Sequence, residues 1–476
     1  MTQKHNFLIG REWREGFKTL PVTNPYNKEV IGEVCLAGEE EIQQAIDVAE
    51  KAFRVTKKLP TYMRSRICLQ IAEGIKKHFD EFSRLITLES GKPLVYARAE
   101  VTRSIATFTI AAEEANRIGG EVLPLDISES GRGKLGIVRH FPIGPVAGIS
   151  PFNFPLNLVA HKVAPAMACG NPIVLKPSSS TPLTALLLGK VILETDCPEG
   201  SFSVLPCRAA DATPLVEDPR FKMITFTGSP SVGWDIKRRA GKKKVTLELG
   251  GNAGVIVESD ADLNLAAQKI CFGAFAFSGQ VCISVQRAFV HESIFPKFVD
   301  RLIKEVNQLK FGDPLEETVT FGPMIDLANA ERVDSWIQES KDQGAKVLTG
   351  GKRDGTFYAP TVITGTKPSA KVSCKEAFGP ILVVEPYTDF QSAVNSVNDS
   401  TFGLQAGVFT NQMDKALSAF QQLEVGGVMI NDVPTFRVDN MPYGGVKDSG
   451  FGREGIKYSI EEMTEIKLLV LNNPTD

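Results

Sequence analysis

Several features that mark other classes of protein are missing from this 476-residue sequence. No stretch approaches the ~20 consecutive apolar residues of a membrane-spanning helix. The opening residues, Met1 to Asn6, are polar and lack the apolar core of a secretory signal. The net charge is only −3, and no long run of residues carries one sign. We therefore expect neither a nucleic acid nor a membrane surface as a partner.

Cysteine and histidine occur without the spacings that form cross-links or metal sites. The eight cysteines are scattered and include no Cys-x-x-Cys pair, which favours reduced thiols in a cytoplasm. The five histidines show no metal-ligand pattern, so no metal site is predicted. Contents of 43% apolar and 23% charged residues are those of an ordinary globular protein, and the length suits two or three domains.

What the sequence does contain, from Gly144 onwards, is an alternation of buried strands and helices typical of an α/β fold. This order predicts a doubly wound dinucleotide-binding domain, although the Gly-x-Gly-x-x-Gly fingerprint is absent. Instead, Gly228, Ser229 and Gly233 occupy a predicted strand-to-helix turn. Glycines there let the backbone approach a pyrophosphate, and the helix N-terminus favours anions. The alternative is an ordinary turn with Ser229 as the helix N-cap.

The flanking segments are predicted from their periodicity. Helices are expected at residues 39–54, 64–88 and 95–117, where they cover the sheet. A second α/β region after Asn252 contains predicted helices at residues 263–277, 294–309, 328–343, 389–398 and 414–423. Residues 119–140 alternate like an exposed hairpin, with residues 465–471 as its partner strand. Because open strand edges invite pairing, both segments are expected to build an oligomer.

Two short segments contain residues suited to covalent catalysis: Glu248-Leu249-Gly250-Gly251 and Ser278-Gly279-Gln280-Val281-Cys282. A thiol attacks a carbonyl only as the thiolate, so a reactive cysteine needs a lowered pKa or a nearby base. A carboxylate at the same site can activate water to cleave the thioester that results. The alternative for Cys282 alone is a small buried apolar residue.

Six motifs over nearly the whole chain resemble those of the aldehyde dehydrogenase superfamily. The Glu248 and Cys282 segments are one; the others are Ser150-Pro151-Phe152-Asn153-Phe154-Pro155, Lys176-Pro177-Ser178-Ser179, Phe226-Thr227-Gly228-Ser229 with Gly233, Glu376-Ala377-Phe378-Gly379-Pro380 and Pro442-Tyr443-Gly444-Gly445-Val446-Lys447. The resemblance implies a cofactor-binding domain (residues 1–118 and 140–248), a catalytic domain (249–456) and an oligomerisation arm (119–139 and 457–476). It also implies a homodimer or homotetramer.

The resemblance assigns the catalytic roles. Cys282 is the expected nucleophile, and the Asn153 side chain with the Cys282 backbone N–H is the expected oxyanion site. Glu248 is the expected base that activates water. Its presence argues against a relative that transfers the acyl group to coenzyme A, although that activity, or a catalytically silent protein on the same fold, stays an alternative. The alternative for Asn153 is a turn residue.

The same resemblance implies NAD or NADP as cofactor, with a nicotinamide that collects the hydride. The expected contacts are Ser150, Phe152, Lys176, Ser178, Ser179, Gly228, Ser229, Gly233, Leu249, Glu376 and Phe378. NAD-preferring members often carry a glutamate where this chain has Ser179. Because a carboxylate there repels a 2′-phosphate, its absence predicts that NADP is at least tolerated. The alternative for Glu376 is an exposed loop carboxylate.

The predicted substrate pocket is more polar than the family's common form. Phe154 and Tyr443 fit the aromatic lining, whereas His161 and Arg437 replace aromatic residues and Arg103 aligns with the pocket mouth. Arginine binds carboxylates and phosphates through paired N–H groups. The hypothesis is a small polar or anionic aldehyde, such as lactaldehyde, a phosphorylated triose or succinate semialdehyde. The alternative is that Arg103 and Arg437 form salt bridges within the protein.

Overall fold

A computed structural model describes residues 3–472 of the chain. The extreme residues of the predicted domains, 1–2 and 473–476, lie outside the described residues. The chain opens with short strands followed by helices: β1 Lys4–His5, β2 Phe7–Ile9, β3 Glu12–Arg14, β4 Lys18–Thr23, β5 Val30–Leu36, α1 Glu39–Thr56, α2 Thr61–Lys77, α3 Phe79–Ser90 and α4 Leu94–Ala115. Helix α1 forms because Ile42, Ala45, Ile46 and Ala49 repeat at helical spacing and are all buried.

The middle of the chain alternates strands and helices as predicted. Its elements are β6 Gly120–Pro124, β7 Lys134–Pro142, β8 Val146–Ile149, α5 Asn157–Cys169, β9 Ile173–Lys176, α6 Leu183–Leu193, β10 Phe202–Val204, α7 Thr213–Glu217, β11 Met223–Thr227, α8 Pro230–Arg239 and β12 Lys244–Glu248. Helix α5 is buried on every side and packs between the sheet and helices α2 and α4.

The remaining residues form the second α/β region. Its elements are β13 Ala253–Val257, α9 Leu263–Phe275, β14 Val285–His291, α10 Phe295–Val306, α11 Leu327–Asp342, β15 Lys346–Thr349, β16 Arg353–Asp354, β17 Phe357–Tyr358, β18 Thr361–Thr364, α12 Lys371–Cys374, β19 Ile381–Tyr387, α13 Phe390–Asn398, β20 Phe402–Gly403, β21 Gln405–Phe409, α14 Met413–Gln422, β22 Gly427–Ile430, β23 Val446–Lys447, β24 Gly450–Phe451, α15 Ile456–Glu462 and β25 Thr464–Asn472.

Two sheets organise the molecule. The first runs in the order β24-β12-β11-β8-β9-β10-β2-β3, and the second in the order β15-β18-β19-β14-β13-β21-β22. In the first sheet, β8 to β10 run outwards in one direction and β11 to β12 in the other, all parallel. The strand order therefore reverses between β8 and β11, where α/β sheets place their ligands. The predicted doubly wound α/β fold is confirmed.

The end of the chain returns to the first sheet. Strand β24 pairs with β12 through Gly450 and Glu248. Helix α15 then packs on α4 and α5 through buried Ile456 and Ile460. These contacts place residues 450–462 against strands and helices of the cofactor-binding half, and the division of the chain into domains stays a prediction.

The arm itself is a small sheet in the order β25-β7-β6. Strand β25 pairs antiparallel with β7 from Thr464 opposite Pro142 to Asn472 opposite Lys134. The predicted hairpin of residues 119–140 and its partner strand are thus found together. The single helix predicted over residues 64–88 is wrong in one place, because His78 leaves helical geometry at φ −103° and ψ 24°. The acidic pair Asp80 and Glu81 then favours a new helix N-terminus.

Candidate active site

The loop that carries Cys282 is held in a strained conformation. Helix α9 ends at Phe275, two residues before the predicted end, because Phe277 and Ser278 adopt left-handed backbone angles with φ of 49° and 54°. Such angles cost about 1–3 kcal/mol each in residues other than glycine. Two contacts hold the loop: Ser278 Oγ donates to the Gly322 carbonyl at 2.6 Å, and Ile325 N–H donates to Gln280 Oε1 at 2.8 Å.

The Cys282 thiol lies beside an aromatic hydroxyl. Its Sγ stands 3.1 Å from Tyr443 Oη. Burial raises the pKa of Cys282 to about 11, although the Tyr443 hydrogen bond and the charge of Arg437 lower it. Because only the thiolate attacks carbonyls, this site depends on Tyr443 and Arg437 to counter desolvation.

Asn153 reaches the same loop from the first sheet. It follows β8, and its Nδ2 donates to the Gln280 carbonyl at 2.9 Å. Its Oδ1 is buried without a protein hydrogen-bond partner among the described residues. One amide hydrogen is thus used to fix the side chain against the cysteine loop, and the second remains available to an oxyanion near Cys282.

Glu248 ends strand β12 and is buried at 2% exposure. Neither carboxyl oxygen has a hydrogen-bond partner within residues 3–472. Burial, followed by repulsion from Glu454, raises the pKa of Glu248 well above its ordinary value, against the charges of Arg437 and Lys162. A buried carboxyl without fixed partners is suited to exchange a proton with a water molecule.

A charged cluster lies behind these groups. Glu454 pairs with Lys162 at 3.2 Å and with Arg437 at 3.1 Å. The Arg437 guanidinium stacks on the Tyr443 ring, 3.6 Å from its centroid. With Glu248 protonated, two cations thus share one carboxylate, which leaves an excess positive charge next to the nucleophile.

The catalytic groups line one cavity. Cys282, Glu248 and Asn153 face a space of about 410 Å³, together with Phe152, Leu249, Gly250, Arg332, Trp336, Glu376 and Phe378. A second cavity of about 520 Å³ shares Pro151, Thr227, Gly228 and Ser229 with the first and is lined further by Ser150, Lys176, Ser178, Ser179, Asp235 and Arg239. The two form a continuous groove across the strand-order reversal.

This groove fits a dinucleotide. A Cβ on Gly233 would stand 2.3 Å from Leu249 Cδ2, so glycine here leaves room for the Leu249 side chain against helix α8. Helix α8 begins directly after Ser229, which lies in the shared part of the groove, and a helix N-terminus favours the anionic pyrophosphate. The residues predicted to contact the cofactor lie along this path, with Gly233 supporting it from beneath.

Glu376 and Phe378 border the catalytic end of the groove. Glu376 Oε1 accepts a hydrogen bond from Gly251 N–H at 2.9 Å. Burial raises the pKa of Glu376 to about 7, although that hydrogen bond lowers it. Phe378 has a left-handed φ of 44° and meets Phe152 edge to face at 5.8 Å between ring centroids. Glu376 is therefore a partly buried, hydrogen-bonded group and not an exposed loop carboxylate.

The remaining predicted substrate residues form internal contacts. Asp439 Oδ1 pairs with Arg103 at 2.7 Å and with His161 Nε2 at 2.8 Å. Burial and the charge of Arg437 lower the pKa of His161, so the Asp439 charge is matched by Arg103. Phe154 packs under the buried Lys92 ammonium, 3.8 Å from the ring centroid. Arg103 and Arg437 both form salt bridges, yet Arg437 Nε is buried without a partner among the described residues.

Sequence reasoning missed several residues of this site. Lys162, Glu454 and Asp439 build the charged surroundings, and Arg332 and Trp336 line the cavity. A signal for one of them was present: helix α5 is apolar almost throughout, so its lysine at position 162 must have a buried partner. That partner, Glu454, lies 292 residues away.

The structure brings a thiol, an amide and a carboxyl group to one end of a groove of dinucleotide size, and the comparison of sequences gives the class of protein. The family model described as Aldehyde dehydrogenase family matches residues 13–469, so the chain belongs to this family. The chain is thus an oxidoreductase that converts aldehydes into acids with NAD or NADP, as the motif resemblance implied. No helix of the described residues is both long and apolar enough to cross a membrane.

Individual relatives resemble the chain over its whole length. The 3-sulfolactaldehyde dehydrogenase of Priestia aryabhattai is 42% identical over 471 residues, covering 99% of this chain and 98% of the relative. The crystal structure of aldehyde dehydrogenase 21 from Physcomitrella patens, in complex with the reaction product succinate, matches with a TM-score of 0.98 at 46% identity and covers 100% and 99% of the two chains. Glyceraldehyde-3-phosphate dehydrogenase from Methanocaldococcus jannaschii, complexed with NADP, matches with a TM-score of 0.92 at 40% identity and covers 97% and 100%.

Proposed function

We propose that Cys282 attacks the carbonyl of a small anionic aldehyde and that Glu248 activates the water that releases the acid. The observation that carries this proposal is the shared cavity: thiol, amide and carboxyl groups face one space that continues into the dinucleotide groove. A catalytically silent protein has no need to keep these three groups together in a buried cavity.

The first step forms a thiohemiacetal on Cys282. Its oxyanion is stabilised by the free amide hydrogen of Asn153 and by the Cys282 N–H. When NAD or NADP is bound in the groove, its nicotinamide supplies the hydride acceptor that aldehyde oxidation needs. Phe152 and Phe378 border that end of the groove, where their rings pack edge to face.

The second step hydrolyses the thioester. Glu248 removes a proton from water, which attacks the acyl carbon, and Cys282 leaves as the thiolate. Burial and repulsion from Glu454 raise the pKa of Glu248, and the charges of Arg437 and Lys162 oppose this shift and favour the ionised form that the step requires. A coenzyme A-dependent enzyme has no use for this base, so added coenzyme A is expected to leave the rate unchanged and to yield no thioester.

The proposed substrate class rests on Arg437, which lies behind the catalytic cavity and not in its lining. Arg437 contacts the Tyr443 ring, whose hydroxyl touches Cys282, and keeps one unpaired buried N–H. A carboxylate, sulfonate or phosphate two or three carbons from the aldehyde would satisfy that N–H and neutralise the cluster. One relative is named for a sulfonated aldehyde, one for a phosphorylated aldehyde, and a third was solved with succinate, which supports an anionic group in this substrate too.

Replacing Arg437 tests this assignment. Arg437→Leu should lower kcat/KM for succinate semialdehyde about 10- to 100-fold more than for lactaldehyde, because a hydrogen bond to a charged group contributes about 1.5–3 kcal/mol. The matched control is Arg98→Leu, which removes a surface ion pair with Glu317 and should change neither value. An equal loss for both aldehydes would exclude Arg437 as the anion-binding residue.

Three further assignments accompany this proposal. NADP is expected to be accepted, since Ser179 and neighbouring serines line the groove without a carboxylate at position 179. A homodimer or homotetramer is expected because β25 is exposed along its length after Thr464, with Ile466, Leu468 and Val470 in contact with solvent. The scattered, unpaired cysteines support a cytoplasmic location.

A further inference from the structure

Lys92 and Glu100 form a completely buried ion pair that the reaction steps do not use. The side chains of both are 0% exposed, and Lys92 Nζ contacts Glu100 Oε2. Lys92 lies in the turn between α3 and α4, and Glu100 lies in α4. A buried ion pair seldom stabilises a protein more than apolar residues of the same size would. A role in positioning neighbouring groups is therefore a better explanation of this pair than stability.

The Lys92 ammonium touches the two segments that build the oxyanion site. It stands 3.8 Å from the Phe154 ring centroid and 4.7 Å from the Phe277 ring centroid. Phe154 directly follows Asn153, and Phe277 is the first left-handed residue of the cysteine loop. One cation thus holds a ring from each segment, and cation–π attraction is strongest when the cation is removed from water.

Glu100 fixes the first of these segments by a second route. Its Oε1 accepts hydrogen bonds from the backbone N–H groups of Leu156 at 2.9 Å and Asn157 at 3.1 Å. These are the N-terminal N–H groups of α5, only three and four residues after Asn153. The carboxylate that holds Lys92 therefore also fixes the backbone that aims the Asn153 amide.

The Lys92 turn is also packed against the cysteine loop. A Cβ on Gly322 would stand 2.5 Å from the Gly91 carbonyl, and a Cβ on Gly91 would stand 2.8 Å from Pro323 Cγ. The Gly322 carbonyl in turn accepts the Ser278 hydroxyl at 2.6 Å. The backbone around Lys92 therefore packs against residues 322–323, and this segment in turn is hydrogen-bonded to the loop before Cys282.

We infer that Lys92 and Glu100 are positioning residues that set the distance between the Asn153 amide and the Cys282 N–H. The inference rests on the proposed function, because it assigns a purpose only if these two donors stabilise an oxyanion. The pair touches neither aldehyde nor cofactor. Its effect is to couple the loop after β8, which carries Asn153, to the loop between α9 and β14, which carries Cys282. The two donors then converge on one oxygen.

The test uses two reactions of Cys282 that need no cofactor. Hydrolysis of 4-nitrophenyl acetate passes through a tetrahedral oxyanion, whereas alkylation by iodoacetamide needs the thiolate but no oxyanion site. All measurements use a Cys374→Ser background, because Cys282 and Cys374 are the cysteines that are not buried. The two reactions thus separate donor geometry from thiol access and folding.

The variant is Lys92→Met combined with Glu100→Gln, which preserves side-chain volume and leaves no unpaired buried charge. Ester hydrolysis should fall about 100-fold, as misplacement of a catalytic group by about 1 Å does, while alkylation stays within about threefold of the parent. The matched control is Lys415→Met with Glu258→Gln. These changes remove the ion pair of Glu258, the residue directly after β13, and should change neither the ester hydrolysis rate nor the alkylation rate.

Each other outcome has a definite meaning. Unchanged ester hydrolysis in the Lys92 and Glu100 variant, parallel loss of both reactions, or an equal loss in the Lys415 control would overturn the positioning role. A parent protein that hydrolyses no ester and is not alkylated at Cys282 would instead overturn the proposed function, and the inference with it. A parent that performs both reactions keeps the two failures distinct.

Discussion

Replacing Tyr443 by phenylalanine tests whether the Tyr443 hydroxyl favours the thiolate form of Cys282. The change deletes the hydroxyl 3.1 Å from Cys282 Sγ and keeps the ring on which Arg437 stacks. The hydroxyl can donate to a thiolate, and burial already raises the pKa of Cys282 to about 11. Without this donor, the pKa should rise further, and the thiolate fraction at neutral pH should fall.

The size of the effect follows from the hydrogen bond. A bond to a charged group contributes about 1.5–3 kcal/mol, and each 1.4 kcal/mol changes an equilibrium tenfold. Tyr443→Phe should therefore lower the thiolate fraction, and with it the alkylation rate at pH 8, about 10- to 100-fold. Below the Cys282 pKa, the parent rate should rise tenfold per pH unit, and the variant should follow a parallel line.

The assay is iodoacetamide labelling in a Cys374→Ser background, followed by mass spectrometry of the Cys282 peptide. Tyr96→Phe is the control, since Tyr96 is an aromatic hydroxyl beside α9 whose ring meets Phe272. Equal labelling rates for the Tyr443 variant and its parent between pH 7 and 9 would refute the reasoning, because the thiolate would then not depend on this donor.

Three other predictions follow from the site and the arm. Glu248→Gln should keep the first turnover, seen as a burst of reduced cofactor, but lower the steady-state rate about 10²- to 10⁴-fold. The rise of the steady-state rate with pH should also disappear, because the carboxylate acts as a base only above its raised pKa. A steady-state rate equal to that of the parent would exclude Glu248 as the base. Ser179→Glu should lower kcat/KM for NADP about 100-fold while NAD is retained, by like-charge repulsion; parental NADP kinetics in this variant, or a parent at least a hundredfold worse with NADP than with NAD, would contradict the assignment. Leu468→Glu with Val470→Glu should reduce the mass seen by light scattering without unfolding, whereas Lys467→Glu on the opposite face should not; an unchanged mass would exclude this face of β25 as an interface.

Much of the fold was predictable because local patterns encode it. The spacing of Ile42, Ala45 and Ile46 predicts α1, and the apolar run at residues 172–175 predicts a strand that the structure has at Ile173–Lys176. The break between α2 and α3 at His78 was missed because apolar spacing continues across it. The left-handed residues Phe277 and Ser278 were missed as well, since their conformation is imposed by tertiary contacts such as the Ser278 bond to Gly322.

The residues of the candidate site likewise fall into those that a local motif predicts and those that depend on distant contacts. Cys282, Glu248 and Asn153 could be predicted because each stands in a short, recognisable motif, and the structure places all three around one cavity. Lys162 and Asp439 were not, because their meaning depends on partners hundreds of residues distant: Glu454 for the first and Arg103 for the second. Charges buried in this way have no local signature beyond their presence in an apolar surrounding.

The pairing of β24 with β12 has a consequence for synthesis of the chain. When the ribosome has translated Cys282, the proposed nucleophile is present, but Tyr443 and strand β24 have not yet been synthesised. Domains fold from the N-terminus as they emerge, so the nascent polypeptide carries an unactivated sulfur. The Cys282 thiol therefore gains its activating hydroxyl only when translation of the chain is nearly complete.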